Sequence, residues 1–299
     1  MNDMTGYVAT IGMFDGVHRG HQFVLSQVVN YAREKGLQSM AITLDGGPRS
    51  KEQGARGEST MLTSKDAKLV LLSKTGIDRV EVLPFTDELR QMTAREFMQR
   101  VLKEQLNVKV LMTGYDNRFG HNREEGFNDY VRYGCELGIE VLQLPVGPQN
   151  VSSSLIRKQV AEGRVAEANG NLGYPYTIFG HVVHGEHIGS QLGFPTANLE
   201  LEDDRQLIPA TGVYAVKVRM ENSLEWKHGM MNIGTRPTFS GHQTTLEVNV
   251  FRLRENLYGQ RLLVAFIDRL RSEQQFDDIE ALKQQLQKDA EAAEERMKE

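Results

Sequence analysis

Two histidines separated by a short glycine-containing step form the pattern in this chain that most clearly suggests chemistry. His18 and His21 close the segment Gly12-Met13-Phe14-Asp15-Gly16-Val17-His18-Arg19-Gly20-His21, which lies between an apolar run and a helical pattern. Imidazoles between the carboxyl end of a strand and the amino end of a helix can face a phosphate chain, and the helix end adds free N–H groups and partial positive charge. The segment predicts a nucleoside triphosphate site; a glycine-rich turn with two surface histidines is the alternative.

A second polar stretch, residues 114–123, follows the apolar run 108–113 and contains Arg118 and Arg123. In a doubly wound domain, ligands lie beyond the carboxyl ends of the strands, which is where this stretch falls. Two solvated surface arginines are the alternative interpretation.

A run of three serines, Ser152 to Ser154, leads into a short helical pattern. N-capping explains one serine well, because a hydroxyl there accepts a hydrogen bond from a free N–H of the first turn. Arg157 lies about one turn further on, where a guanidinium can reach an anion at the helix end. Simple capping and anion binding both stay open at this point.

The second half of the chain carries a possible cation site and a possible base. Thr196 and Asn198 are two residues apart, so in an extended segment their oxygens project the same way and can share a hard cation. An ordinary turn is the alternative. Glu247 lies in a strand-like run on the same face as Asn249, which predicts either a general base or an exposed-face glutamate.

Strand-like runs alternate with helical patterns through the first half. The predicted strands are residues 7–11, 39–43, 79–83, 108–113 and 139–144, and the predicted helices are residues 21–34, 64–74, 93–105 and 126–137. This alternation predicts an α/β domain with a doubly wound, Rossmann-like parallel sheet. Thr93 and Glu96 predict a capping box for the third helix.

The second half has a β pattern. Its predicted strands are residues 176–184, 213–220, 226–232, 245–251 and 262–266, and a charged helical segment covers residues 277–298. Short strands with turns between them predict an antiparallel barrel or sandwich on which the terminal helix lies. We therefore predict two domains, residues 1–170 and 171–299.

The bulk properties favour a cytoplasmic globular protein. Its 299 residues carry a formal net charge of −5, which does not favour a nucleic acid or an anionic membrane surface as a partner. Cys135 is the only cysteine, which excludes an intrachain disulfide and a multi-cysteine metal site, and we predict that it is buried. No run approaches the length of a membrane span.

Six segments together resemble the bacterial bifunctional riboflavin kinase and FMN adenylyltransferase family, also called FAD synthetase. The matching segments in the first half are Gly12 to His21, Gly114 to Gly120 and Ser153 to Arg157; those in the second half are Leu172 to Tyr176, Gly193 to Asn198 and Asn232 to Phe239. The resemblance covers nearly the whole chain. It implies a nucleotidylyltransferase domain followed by a riboflavin kinase barrel.

The resemblance also implies two ATP-dependent reactions. The barrel phosphorylates riboflavin to FMN, with Thr196 and Asn198 helping to hold Mg²⁺ and Glu247 accepting the hydroxyl proton. The first domain adenylylates FMN to FAD with release of pyrophosphate, and His18, His21 and Arg157 meet the negative charge. The residues expected to bind nucleotide or flavin are Gly12, Phe14, Asp15, Gly16, Gly20, Asp116, Arg118, Ser153, Ser154, Gly185, Gly193, Pro195, Asn232 and Arg236.

Several positions depart from the family pattern. Gly46 and Gly47 stand where the family has an imidazole between prolines, Ile188 and Ser190 stand where basic residues are common, and Asn249 and Asn117 replace ring side chains. These departures sustain an alternative: a flavin- or nucleotide-binding paralogue in which one or both activities are reduced. The sequence makes no prediction about the oligomeric state.

Overall fold

The computed structural model describes residues 6–45, 61–114, 117–121, 123–145, 147, 151–184, 193–238, 241–253 and 255–298. The chain forms two compact units. The first comprises Met1–Arg56 and Lys65–Ser152, and the second comprises Gly57–Ser64 and Ser153–Glu299.

The first unit is built on a five-stranded parallel sheet, which confirms the predicted doubly wound domain. The strands lie in the order β3-β2-β1-β4-β5, and are β1 (Tyr7–Ile11), β2 (Gln38–Asp45), β3 (Arg79–Pro84), β4 (Val108–Thr113) and β5 (Glu140–Gln143). The main helices between them are α1 (Arg19–Lys35), α2 (Lys65–Ser73) and α5 (Phe127–Leu137). Because all strands are parallel, the turns that follow β1, β2 and β4 lie at one edge of the sheet.

The predicted third helix is more complex than its pattern indicated. A short helix, α3 (Asp87–Gln91), precedes it, and α4 (Ala94–Glu96) continues as a π-helical segment, Phe97–Gln105. The predicted capping box of Thr93 and Glu96 is present at its start. The π segment buries an apolar side toward the sheet, and Leu106 N–H donates to the Val101 carbonyl five residues back.

The prediction that Cys135 is buried is wrong, because this residue is exposed. It lies on α5, whose buried residues are Tyr130, Gly134 and Leu137. Those positions follow the helical period, and Cys135 is next to this stripe in sequence but points away from it.

The second unit is a closed six-stranded barrel, which decides between the predicted barrel and sandwich. Its strands lie in the order β10-β7-β6-β11-β8-β9, and are β6 (Thr177–Val183), β7 (Ala197–Leu201), β8 (Gly212–Met220), β9 (Lys227–Thr238), β10 (Gly241–Val250) and β11 (Arg261–Arg271). The sequence analysis did not predict β7, which is short and follows Pro195.

Two helices precede the barrel, α6 (Ser153–Ala161) and α7 (Val165–Leu172). The side chain of Asn169 on α7 donates to the Phe266 carbonyl on β11 at 2.8 Å and accepts from Tyr176 N–H at 2.7 Å. The long segment of the second compact unit therefore begins at Ser153 and includes both helices. The functional boundary at residues 170 and 171 stays a prediction.

The terminal helix α8 (Ile279–Arg296) lies on the outside of the barrel, as predicted. Ala293 and Met297 pack against Val213, Ala215 and Met230. Among the parts of the chain that the structure describes, no helix is both long and apolar enough to cross a membrane.

A buried ion pair fixes α8 on the barrel, and its removal should cost stability. Arg271 on β11 donates to both carboxylate oxygens of Asp289, at 2.8 to 3.0 Å, and Asp289 is 3% exposed. We expect Asp289→Ala to lower the free energy of unfolding of the second unit by about 3–5 kcal/mol, because Arg271 loses its buried partner. Urea unfolding followed by the fluorescence of Trp226, the one tryptophan of the chain, measures this.

The matched control is Glu291→Gln on the exposed side of the same helix, for which we expect a change below about 0.5 kcal/mol. If Asp289→Ala were no more destabilising than this control, the ion pair would not anchor the helix.

Candidate active sites

The chain makes a tight turn after β1 that presents the two predicted histidines. Phe14, Gly16 and Val17 have φ angles of 49°, 78° and 33°, in the left-handed region. The Phe14 and Val17 side chains are nevertheless buried, at 3% and 1% exposure. The turn ends at His18, which is the N-cap of α1.

His18 and His21 lie face to face at the start of α1. Their ring centroids are 3.7 Å apart with 19° between the planes, and His18 Nδ1 accepts a hydrogen bond from the His21 N–H at 3.4 Å. The ring of Phe14 meets His21 edge-on at 5.3 Å. A Cβ on Gly20 would come within 3.2 Å of the His18 ring, so this glycine leaves room for the stacked pair.

The His21 ring has an unusual electrostatic state. Burial, with a smaller contribution from the charge of His18, lowers the pKa of His21 to about 3. The ring is therefore neutral near pH 7 and carries one N–H. Its Nδ1 atom is buried without a hydrogen-bond partner among the described residues. A neutral imidazole at a helix N-terminus, next to free N–H groups, suits a phosphate ligand.

Hydrogen bonds between side chains and the backbone fix the loop after β4. The Asn117 side-chain amide donates to the Ile11 carbonyl at 2.8 Å, at the end of β1. The buried Tyr130 hydroxyl accepts from Phe119 N–H at 2.9 Å, and the two rings are stacked 4.1 Å apart. The structure thus brings the loop with Arg118 to the same sheet edge as the histidines.

Arg118 itself braces this loop. Its guanidinium donates to the carbonyls of Glu124 and Glu125, at 3.1 and 3.3 Å. Its predicted contact with a ligand stays a prediction. Seven positions named from the sequence lie outside the described residues: Gly46, Gly47, Asp116, Gly185, Ile188, Ser190 and Phe239.

Ser153, Ser154 and Arg157 lie in the first two turns of α6, as predicted. This helix belongs to the second unit, whereas His18 and His21 belong to the first. That these residues form one site with the histidines stays a prediction.

Sequence reasoning missed Lys68, a buried lysine on α2 with 6% exposure. Its ammonium donates to Thr43 Oγ1 at 3.1 Å and to the Met13 carbonyl at 3.3 Å. A signal was available in the sequence, because Lys68 is one helical turn before the buried Leu72 and so falls on the apolar stripe of α2.

In the second unit, three predicted site residues form a row across neighbouring strands. Glu247 on β10 pairs in register with Asn198 on β7 and with Asn232 on β9. Directly opposed residues of antiparallel strands place their side chains on the same face, about 4.5–5.5 Å apart at Cβ. The buried neighbours Leu246 and Val248 point to the other face, so the row lies on the outer face of the barrel.

Further predicted residues surround this row. A guanidinium nitrogen of Arg236 on β9 lies 3.9 Å from a carboxylate oxygen of Glu247, and both side chains are partly exposed. Gly193, with φ of +83°, begins the segment that leads to Thr196. Asn249 is buried, and its amide donates to the Pro195 carbonyl at 2.6 Å. The asparagine that departs from the family pattern therefore holds the residue before Thr196.

The donor chemistry of this face suits a hard cation. The amide oxygen of Asn198 and the hydroxyl of Thr196 are oxygen ligands of the kind that Mg²⁺ prefers. Within the described part of the chain, no three His, Cys, Asp or Glu side chains cluster as metal ligands. A cation here would depend on few protein ligands, which is usual for Mg²⁺ bound together with nucleotide phosphates.

Two family models together match most of the chain. Residues 1–155 match the family model for FAD synthetase, and residues 172–297 match the model for riboflavin kinase. The chain is 36% identical to the bifunctional riboflavin kinase/FMN adenylyltransferase of Haemophilus influenzae, over 97% of this chain and 94% of that protein. It is 37% identical to the protein of the same name from Escherichia coli K12, over 95% of this chain and 90% of that protein.

The chain belongs to the bifunctional riboflavin kinase/FMN adenylyltransferase family. Like other members it phosphorylates riboflavin and adenylylates FMN, and nothing in the comparisons supports the alternative of a paralogue with reduced activity. A solved structure described as a macrolide-efflux protein from Streptococcus pneumoniae has the same fold, with a TM-score of 0.87 at 30% identity over 97% of this chain and 94% of that chain.

Proposed function

We propose that Glu247 is the general base of riboflavin phosphorylation in this family member. The row formed with Asn198 and Asn232 carries the proposal, because it places a carboxylate between two amides on an exposed face. Glu247 accepts the proton of the riboflavin 5′-hydroxyl while that oxygen forms a bond to the γ-phosphorus of ATP and ADP leaves. Positioning and charge neutralisation dominate such transfers, so a base with polar neighbours suffices.

Thr196 and Asn198 are the proposed ligands of Mg²⁺ at this site. When bound, the ion supplies charge neutralisation for the phosphates of ATP. Arg236, near Glu247, contributes a further positive charge on this face. Gly193, Pro195 and Asn232 are the proposed contacts to nucleotide or flavin, and Gly185 is a further one outside the described residues.

For FMN adenylylation, we assign the binding of the ATP phosphates to His18, His21 and the start of α1. An oxygen of the FMN phosphate forms a bond to the α-phosphorus of ATP, and the bond to pyrophosphate breaks. The neutral His21 donates one hydrogen bond to the developing charge, and the helix N-terminus adds backbone N–H groups. The other proposed contacts are Gly12, Phe14, Asp15, Gly16, Gly20, Asp116, Arg118, Ser153, Ser154 and Arg157.

The proposed partners are the small molecules riboflavin, FMN and ATP, without nucleic acid or membrane. The single cysteine is compatible with the cytoplasmic location that the sequence predicts. That location stays a prediction.

Asn249→Leu tests the proposed cation site through the segment that carries it. Leucine has a similar volume but removes the hydrogen bond to the Pro195 carbonyl, so Thr196 loses its placement. We expect kcat/KM for riboflavin phosphorylation to fall about tenfold, equivalent to about 1.4 kcal/mol, and the half-saturating Mg²⁺ concentration to rise. Flavin chromatography over a Mg²⁺ titration measures both.

FMN adenylylation by the same Asn249→Leu protein is the internal control and should be unchanged. Asn249→His, which restores a ring donor, should recover part of the kinase activity. A Mg²⁺ requirement identical to that of the wild type would count against the proposed cation site.

A further inference from the structure

The turn that presents His18 and His21 is conformationally strained. Phe14 and Val17 have φ angles of 49° and 33°, a region that non-glycine residues rarely occupy and that is especially unfavourable for a β-branched side chain. Such conformations persist only where neighbouring groups impose them. The neighbours of this turn therefore decide whether the histidines are correctly placed.

Side chains hold the turn on both sides of its strained residues. The Met13 carbonyl, before Phe14, accepts from the Lys68 ammonium at 3.3 Å and from the Thr43 hydroxyl at 3.2 Å. The Val17 carbonyl accepts from the Gln22 side-chain amide at 2.8 Å. Met13 is thus fixed from α2 and β2, outside the segment that contains the histidines.

The Lys68 ammonium uses its donors on the protein itself. Besides Met13 it donates to Thr43 Oγ1 at 3.1 Å and to the Leu44 carbonyl at 3.4 Å. An ammonium has three N–H donors, and these three acceptors account for all of them. Lys68 therefore joins the turn after β1 to the end of β2, rather than offering a proton to a ligand.

Nearby carboxylates partly compensate for the burial of the Lys68 ammonium. Burial lowers the pKa of Lys68, and the nearby carboxylates of Asp15 and Asp45 partly offset this effect. Lys65, one turn earlier on α2, has a small effect in the same direction as burial and pairs with Asp45 at 2.6 Å on the surface. Of these two lysines, Lys68 donates to the Met13 carbonyl in the turn after β1, whereas Lys65 pairs with Asp45.

We propose that Lys68 is a positioning residue for FMN adenylylation, because it holds the strained Met13–Val17 turn in the conformation that stacks His18 on His21. The inference rests on the function proposed for these histidines. Since the three donors of Lys68 are directed to groups of the protein, its proposed role is indirect, and its removal should lower kcat far more than it changes KM.

The test compares Lys68→Met with Lys65→Met as the matched control. For Lys68→Met we expect kcat for FMN adenylylation to fall about 100-fold with KM changed less than about threefold, since a misplacement of about 1 Å can have an effect of this size. Riboflavin phosphorylation, measured on the same protein, should stay within about twofold of the wild type. Lys65→Met should leave both activities within about twofold.

A double-mutant cycle separates positioning from a general structural role. If Lys68 acts through the histidines, adding Lys68→Met to His21→Ala should lower adenylylation less than about threefold further. A further loss of about 100-fold in the double variant, or wild-type adenylylation in Lys68→Met, would overturn the inference. A His21→Ala protein that forms FAD at the wild-type rate would instead refute the role proposed for His21.

If Lys68→Met unfolds the first unit, Thr43→Val provides a second test of the positioning role. This variant removes one donor to Met13 and one acceptor of Lys68 while it keeps the side-chain volume. We expect an intermediate loss of kcat for adenylylation, about tenfold, with riboflavin phosphorylation unchanged. Full adenylylation by a folded Thr43→Val protein would overturn the inference.

Discussion

Replacing Glu247 by glutamine should lower riboflavin phosphorylation by about 10²–10⁴-fold, the usual contribution of a general base. Glutamine keeps the shape of the side chain and its place in register with Asn198 and Asn232, but it accepts no proton from the riboflavin hydroxyl. The loss should therefore appear in kcat rather than in KM for riboflavin. Release of ADP in the presence of riboflavin and ATP measures the effect.

Glu200→Gln is the matched control for this prediction. Glu200 lies on β7 with an exposed side chain, opposite His181 on β6 rather than opposite Glu247. We expect it to keep wild-type activity. Kinase activity in Glu247→Gln as high as in Glu200→Gln would show that another group accepts the proton.

The second large effect is expected for His21→Ala, which should lower FMN adenylylation by about 10²-fold or more. Removing one donor to developing negative charge in a preorganised site usually has this effect. The stacking partner of His18 is lost as well, so His18 also becomes less well placed. Release of pyrophosphate from FMN and ATP measures the loss, and His181→Ala, on the exposed side of β6, is the control for loss of an imidazole.

The pKa of His21 also predicts a pH dependence. Because this pKa is lowered from 6.5 to about 3 in the folded protein, the unfolded chain binds a proton between these pH values that the native state excludes. The free energy of unfolding should therefore rise with pH from about 3 to 6.5, and His21→Ala should weaken this rise. An inflection of adenylylation near pH 6.5 that disappears in His21→Ala would contradict a neutral His21.

The segment from Gly12 to His21 was predictable in place but not in detail. Its position between β1 and α1 follows from the hydrophobic pattern, because an apolar run and an amphipathic helix flank it. The stacking of the two rings and the left-handed Val17 did not follow from the local pattern. The adjacent Met13 is held by hydrogen bonds from Thr43 on β2 and Lys68 on α2, and such long-range contacts are not visible in the local sequence. Lys68 was overlooked because a lysine in a helix is usually exposed.

In the barrel, the sequence predicted Glu247, Asn198 and Asn232 separately, but not the row that they form. Strand register joins them, and β7 is only five residues long, so its own pattern is too short to predict that register. The role of Asn249 was likewise not predictable from the sequence. From its residue type alone, Asn249 suggested a kinase site with reduced activity. In the structure its side chain donates a hydrogen bond to the Pro195 carbonyl, a contact between two segments that are distant in sequence.

Chromatography of the flavins formed from riboflavin and ATP by Glu247→Gln and His21→Ala, run side by side with the wild type, tests most directly whether the chain has two separate active sites. The account predicts that the wild type forms FAD, that Glu247→Gln leaves riboflavin unconverted, and that His21→Ala accumulates FMN. If both variants accumulated the same flavin, the two reactions would not depend on separate residues, and the assignment of Glu247 to one reaction and His21 to the other would be wrong.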